Sequence, residues 1–144
     1  MRYNICENRY SFSANIRSSV RVKQAEKRHF CDPALACALL KVTPDKLSGD
    51  LETFGFLFEA LVERDLKIYA ESFGANLYHY QDYNNKEIDA VVELKDGKWC
   101  AFEIKLGANP IDKAATELVA LRNDIEKNGG VAPSVLCVIC GLSN

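Results

Sequence analysis

The stretch IDAVVELKDGKWCAFEIKLG, residues 88–107, decides the fold because it predicts two strands joined by a tight turn. A two-residue turn at Asp96-Gly97 would spread acidic side chains over both faces of the hairpin. A three-residue loop, Lys95–Gly97, instead pairs Leu94 with Lys98 and leaves one face entirely apolar. A buried face fixes strand register, since a slip of one residue inverts every side chain. We therefore predict the longer loop, with its glycine in the left-handed conformation.

This register defines the two faces of the hairpin. We expect the apolar face to pack on the core and the other face to meet solvent. The apolar face holds Ala90, Val92, Leu94, Cys100, Phe102, Ile104 and Leu106. The other face holds Asp89, Val91, Glu93, Trp99, Ala101, Glu103 and Lys105.

Three polar side chains on the second face predict a site that binds a metal ion and a phosphoryl group. Asp89 lies opposite Glu103, with β-carbons about 5 Å apart, and Lys105 is two residues further along the same face. Two carboxylates this close repel unless one is protonated or a cation lies between them. Mg²⁺ or Mn²⁺ takes such oxygen ligands, and a lysine can stabilise charge on a phosphoryl group. The alternative is an ordinary strand whose charged residues face solvent.

The remaining elements predict an α/β sandwich around one sheet. After residue 50 the order is a helix at about 51–72 that stops near Gly74, a strand within 76–83, the hairpin, a helix at about 112–127 and a strand within 133–141. Before it, Asp32-Pro33 predicts a helix start, and TPDKLSGD, residues 43–50, predicts a loop. Residues 1–16 predict a loose arm, and residues 17–30 predict a strand, a turn and a strand.

Composition indicates an ordinary globular domain, with 144 residues, 48% hydrophobic, 26% charged and net charge −2. No apolar run reaches the roughly 18 residues of a membrane span, and no secretory signal is present. Six cysteines in apolar contexts predict reduced thiols, which indicates a cytoplasmic protein. One local excess of positive charge predicts phosphate contacts to nucleic acid, or alternatively a solvated β-ribbon. It consists of Arg17, Arg21, Lys23, Lys27 and Arg28.

Glu59 has two interpretations. Spacing places Glu52, Glu59 and Glu63 near one face of the long helix, which is typical of a solvated acidic stripe. Alternatively, Glu59 points into the same cleft as Asp89.

A helix glutamate, a strand aspartate and E-x-K on the next strand together resemble the PD-(D/E)XK nuclease superfamily. Here the matching residues are Glu59, Asp89 and Glu103–Lys105. The resemblance implies that Asp89, Glu103 and Glu59 bind Mg²⁺ or Mn²⁺ and that Lys105 assists catalysis.

Longer strings resemble the C-terminal region of a bacterial and archaeal family of AAA-type ATPases. These strings are IRSSVRVKQAEKRHFCDPALACALL, FGFLFEALVERDLKIYA, YHYQDYNNKEIDAVVE and AFEIKLG. The resemblance implies an arm and partial winged-helix segment over residues 1–48. It implies a restriction-endonuclease-like mixed sheet flanked by helices over residues 49–144. The sequence holds no G-x-x-x-x-G-K-[ST], so ATP hydrolysis through a P-loop is not expected, and a parent ATPase domain would be a partner if the chain is a fragment.

Three functions are consistent with these features. The first is a metal-dependent nuclease acting on DNA or RNA. The second is a non-catalytic module that docks the parent ATPase onto nucleic acid or protein. The third is an assembly domain whose interaction face is aromatic, formed by Tyr78, Tyr80, Tyr83 and Trp99.

Overall fold

The computed structural model describes residues 5–12, 23 and 25–142. The chain forms six strands and four helices within these residues. They are β1 (Cys6–Arg9), β2 (Lys27–Phe30), α1 (Pro33–Leu40), α2 (Pro44–Gly49), α3 (Leu51–Ser72), β3 (Asn76–Gln81), β4 (Glu87–Glu93), β5 (Trp99–Gly107), α4 (Ile111–Lys127) and β6 (Val135–Leu142).

The centre of the molecule is a mixed sheet with strand order β3-β4-β5-β6. β3, β4 and β5 pair antiparallel in succession, whereas β6 pairs parallel to β5 after the crossover through α4. The predicted order of helix, three strands, helix and strand is confirmed, and α3 has the predicted bounds. The chain is therefore an α/β protein built on one four-stranded mixed sheet.

The hairpin has the predicted register. Glu93 pairs with Trp99 in the ladder, and the Leu94 N–H donates to the carbonyl oxygen of Lys98 at 2.8 Å. Gly97 has φ of +80°, a conformation that side chains with a β-carbon rarely adopt. The three-residue loop and its left-handed glycine are confirmed.

Both faces of the hairpin are buried, so the expected solvent-facing side is wrong. Val91, Trp99 and Ala101 are each 0% exposed and pack with Leu118 and Leu121 of α4. The predicted apolar face is confirmed on the other side, where Val92 and Phe102 pack with Ala70 of α3. The prediction of a solvent-facing side was wrong because it relied on the charged residues at the ends of this face, whereas Val91, Trp99 and Ala101 in its middle are apolar.

The ends of the helices follow local capping chemistry. The Asp32 side chain accepts from the Ala34 N–H at 2.9 Å and begins α1 as predicted. Residues 43–50 were expected to be a loop, and this is wrong because they contain α2. Thr43 caps α2 by accepting from the Lys46 N–H at 3.4 Å, and Pro44 occupies the first turn. The same signal of a capping residue followed by proline therefore begins both helices.

The N-terminal residues are not a loose arm where the structure describes them. β1 and β2 pair antiparallel as a ribbon, which we call the N-terminal ribbon. Phe12 is 1% exposed and its ring centroid lies 5.1 Å from that of Trp99. Of the strand, turn and strand predicted within residues 17–30, the second strand is confirmed as β2, which pairs with β1; Val20 and Val22 of the first strand lie outside the described residues. The division at residue 48 and the winged-helix segment stay predictions.

Two other expectations concern cysteines and aromatic residues. All six cysteines fall within the described residues, and none forms a disulfide. Trp99 and Tyr80 belong to the core, which contradicts an aromatic interaction face built from them. None of the helices in the described part of the chain combines the length and apolarity needed to cross a membrane.

Replacing Phe12 by alanine tests whether the N-terminal residues stabilise the core. We expect Phe12→Ala to lower the free energy of unfolding by about 3–5 kcal/mol, because a buried phenyl ring leaves a cavity. Denaturant unfolding measures the change. Tyr10→Ala is the control, since Tyr10 is 63% exposed on the same segment. A Phe12→Ala loss no larger than that of Tyr10→Ala would contradict this packing.

Candidate active site

Asp89 lies where the pairing between β4 and β5 ends. The ladder pairs extend to Ala90 and Phe102, one position short of Asp89. There the Ile104 N–H donates to Asp89 Oδ2 at 2.7 Å. The side chain thus bonds a backbone group of β5, which fixes the carboxylate against the neighbouring strand.

Glu103 and Lys105 complete the cluster. Lys105 Nζ lies 3.2 Å from Asp89 Oδ2 and 2.6 Å from Glu103 Oε2. Asp89 is 9% exposed and Glu103 is 7% exposed, so the alternative of a solvent-facing strand is wrong for both acids. The lysine is partly exposed and bridges the two carboxylates.

Burial and repulsion dominate the electrostatics of this cluster. The pKa of Glu103 is raised to about 7, because burial and repulsion by Asp89 raise it more than Lys105 lowers it. Burial also acts to lower the pKa of Lys105, but its pKa is raised by the two acids. The lysine therefore stays charged at neutral pH, while Glu103 is about half protonated.

The cluster lines a cavity of about 380 Å³. α4 contributes an apolar wall through Leu118 and Leu121, and the β3–β4 turn contributes Asn85 and Lys86. The cavity is large enough to admit water or part of a ligand to the carboxylates.

Glu59 does not join the two acids. Lys27 Nζ binds Glu59 Oε1 at 3.1 Å, and Glu59 lines a second cavity, of about 440 Å³, between α3 and the end of β5. Burial raises the pKa of Glu59, Lys27 opposes this, and Asp89 raises it further, so Glu59 and Asp89 lie within electrostatic range. Lys105 lines both cavities and therefore lies between the two sites.

The donor set fits a hard divalent cation in part. Asp89 and Glu103 supply the one or two carboxylates that Mg²⁺ typically uses alongside water and phosphate. Within residues 5–12, 23 and 25–142, no three His, Cys, Asp or Glu side chains form a group that could hold a metal ion. The three-carboxylate site expected from Asp89, Glu103 and Glu59 is thus not assembled among these residues.

The described members of the predicted basic segment, Lys23, Lys27 and Arg28, lie in three different surroundings. Arg17 and Arg21 lie outside the described residues. Lys23 Nζ donates to Asn85 Oδ1 at 2.6 Å, at the wall of the first cavity. Lys27 binds Glu59, and Arg28 is exposed on the other side of β2.

A buried ionic cluster next to Glu59 was not predicted. Glu63 is 1% exposed, and its Oε2 lies 2.5 Å from His29 Nδ1 and 3.4 Å from Arg9 Nη1. The solvated acidic stripe is therefore wrong for Glu63. Spacing gave a partial signal, since Glu59 and Glu63 are four residues apart on a helix, but their partners come from strands more than 30 residues earlier.

Replacing Glu103 by glutamine tests the raised pKa. An acid whose folded pKa lies above its unfolded value gives stability that is complete below the unfolded value, near 4.5, and is lost as pH rises through about 7. With a chelator present, we expect Glu103→Gln to match the native chain at pH 4. At pH 8 it should be more stable, by on the order of 2 kcal/mol, in denaturant unfolding.

Glu117→Gln is the matched control, because Glu117 lines the same cavity but its side chain is 62% exposed. It should leave the pH profile unchanged. If Glu103→Gln is the less stable protein at pH 8, the ion pair with Lys105 outweighs the repulsion and burial described above.

Comparison with known proteins identifies the family. The family model for a domain of unknown function, DUF4143, matches residues 54–141, which include Glu59, Asp89, Glu103 and Lys105. A search of curated proteins and a search of solved structures each found no match. Because the family model covers more than half of the 144 residues, the chain belongs to DUF4143, a family of domains found C-terminal to AAA ATPase domains.

Proposed function

We propose that the chain carries a metal-dependent nuclease site of the PD-(D/E)XK type on a restriction-endonuclease-like fold. The observation that supports it best is the contact of Lys105 with two buried carboxylates, Asp89 and Glu103, at the wall of a cavity. The order helix, three strands, helix and strand gives further support, because it brings the D and E-x-K positions to adjacent strands.

Asp89 and Glu103 would hold Mg²⁺ or Mn²⁺. When bound, the ion would polarise a phosphoryl oxygen and lower the pKa of a coordinated water. The Ile104 N–H keeps Asp89 oriented toward β5, which reduces the reorganisation needed for binding. Lys105, once separated from the acids, would stabilise charge that develops on a bound phosphate.

The charges near the site determine what a nucleic-acid substrate would need in order to bind. A nucleic-acid phosphodiester brings negative charge beside Asp89 and Glu103, so a cation is required for it to approach. Lys23 contacts Asn85 at the cavity wall and Lys86 lines the cavity. These two lysines are available to contact phosphates on either side of a bound phosphodiester.

A docking module without catalytic activity is the second candidate. It is favoured by the internal neutralisation of the acids, since Lys105 binds Asp89 and Glu103 while Lys27 binds Glu59. Such pairs occupy the charged groups that catalysis would need, as in a domain that binds without cutting. In this case the partner would be nucleic acid or protein, presented to an AAA ATPase domain.

Lys105→Ala tests the nuclease directly. With millimolar Mn²⁺ and plasmid or single-stranded substrates, we expect Lys105→Ala to reduce cleavage by roughly 100-fold or more, since it removes the group that stabilises transition-state charge. Asp89→Asn should lower both cleavage and Mn²⁺ affinity in calorimetry. Lys98→Ala is the control, because Lys98 binds only the exposed turn residue Asp96 among the described ion pairs.

The outcomes separate the two candidates. Cleavage that persists in Lys105→Ala indicates a contaminating nuclease. Binding of nucleic acid without cleavage by the native chain, unchanged in Lys105→Ala, supports the docking module and contradicts the nuclease.

A further inference from the structure

The N-terminal ribbon meets α3 through two matched contacts, the ion pair of Lys27 with Glu59 and the contact of His29 with Glu63. Lys27 and His29 are two residues apart on one face of β2, and they contact Glu59 and Glu63, which are four residues apart on α3. Two residues of a strand span about 6.6–6.8 Å, and four residues of a helix span about 6 Å. The similar spacing lets both contacts form at once, so the ribbon docks on α3 in one register.

Buried contacts hold this register. Glu63 is 1% exposed and binds both His29 and Arg9, and Arg9 is 5% exposed. In the β1–β2 ladder Arg9 pairs with Lys27. Because Arg9 also binds Glu63, its contact with α3 helps to fix the backbone of Lys27. Breaking a buried ion pair leaves an uncompensated charge, which is strongly unfavourable. Lys27 is therefore held at Glu59 by its surroundings.

Lys27 also lies close to the candidate active site. Its pKa is raised by Glu59 and Glu63 and by Asp89, against the effect of burial. Asp89 likewise raises the pKa of Glu59. Three carboxylates of α3 and β4 thus act on the charge of one lysine of the N-terminal ribbon, and one of them, Glu59, contacts it. The ribbon precedes the family match at residues 54–141.

We propose that Lys27 is a positioning residue that holds Glu59 away from Asp89 and Glu103, so that the N-terminal ribbon limits cation binding at the candidate site. The inference rests on the proposed metal site. Glu59 is paired with Lys27, and the ion pairs of Lys105 among the described residues are with Asp89 and Glu103. Removing the ammonium group takes away a nearby positive charge and frees Glu59 to become a third ligand.

Mn²⁺ calorimetry on the whole chain tests this role. We expect Lys27→Gln to bind Mn²⁺ about five- to tenfold more tightly than the native chain, the effect of removing one nearby unit charge. Lys27→Arg keeps the ion pair and should bind as the native chain does. The double variant Lys27→Gln with Glu59→Gln should lose the gain, because the freed ligand is gone.

Arg28→Gln is the matched control, since it removes the same charge from the neighbouring, exposed position of β2. Its Mn²⁺ affinity should stay within about twofold of the native value. If Lys27→Gln fails to fold in thermal unfolding, Lys27→Met preserves the apolar stem and takes its place.

Each result is decisive. An unchanged or weaker Mn²⁺ affinity in Lys27→Gln, or an equal gain in affinity in Arg28→Gln, overturns the positioning role. The proposed metal site still stands in that case if Mn²⁺ binding by the native chain depends on Asp89. Equal Mn²⁺ binding by the native chain and Asp89→Asn, or no binding by the native chain and Lys27→Gln, overturns both. Binding by Lys27→Gln alone supports a site that the ribbon keeps closed.

Discussion

Two buried carboxylates on adjacent strands repel each other unless one is protonated or a positive charge lies between them, and the rest of the site is arranged around that constraint. Asp89 accepts a hydrogen bond from the backbone of β5, so it cannot turn away from Glu103 without losing that bond. Lys105 supplies the charge. An ammonium ion and a divalent cation compete for the same oxygens in such a cluster, which links metal binding to movement of the lysine.

The same principle extends across the end of the sheet. Glu59 and Glu63 are acids on the inner side of α3, and Lys27 and Arg9 of the N-terminal ribbon form ion pairs with them. His29 Nε2 and Glu63 Oε1 are buried without a hydrogen-bond partner among the described residues, so this cluster is not fully satisfied. Buried charges of this kind add little net stability, but they fix which segments can pack together. The ribbon is consequently part of the electrostatic environment of the site.

Local patterns predicted most of the sheet and the two long helices. The hairpin register followed from residues 88–107 alone, because only one loop length gives an unbroken apolar face. The bounds of α3 followed from apolar periodicity and from Gly74, whose φ of +74° ends the helix. The convergence of Asp89, Glu103 and Lys105 was predictable for the same reason, since strand register fixes side-chain direction.

What local patterns could not predict depended on contacts between distant segments. Three such contacts join residues far apart in the chain: β1 pairs with β2, Phe12 packs against Trp99, and Lys27 forms an ion pair with Glu59. The burial of both hairpin faces was missed because the position of α4 over Val91, Trp99 and Ala101 is a tertiary property. Helix α2 was missed although Thr43-Pro44 carried the same capping signal as Asp32-Pro33.

The central claim is that Asp89 and Glu103 form a cation site in which Lys105 stands in place of the ion. A crystal structure of the chain grown with millimolar Mn²⁺, with anomalous diffraction measured at the manganese edge, tests it most directly. We predict an anomalous peak within coordination distance of both carboxylates and a Lys105 ammonium displaced from at least one of them. Density that shows Lys105 still bound to both acids, with no anomalous peak between them, would contradict it.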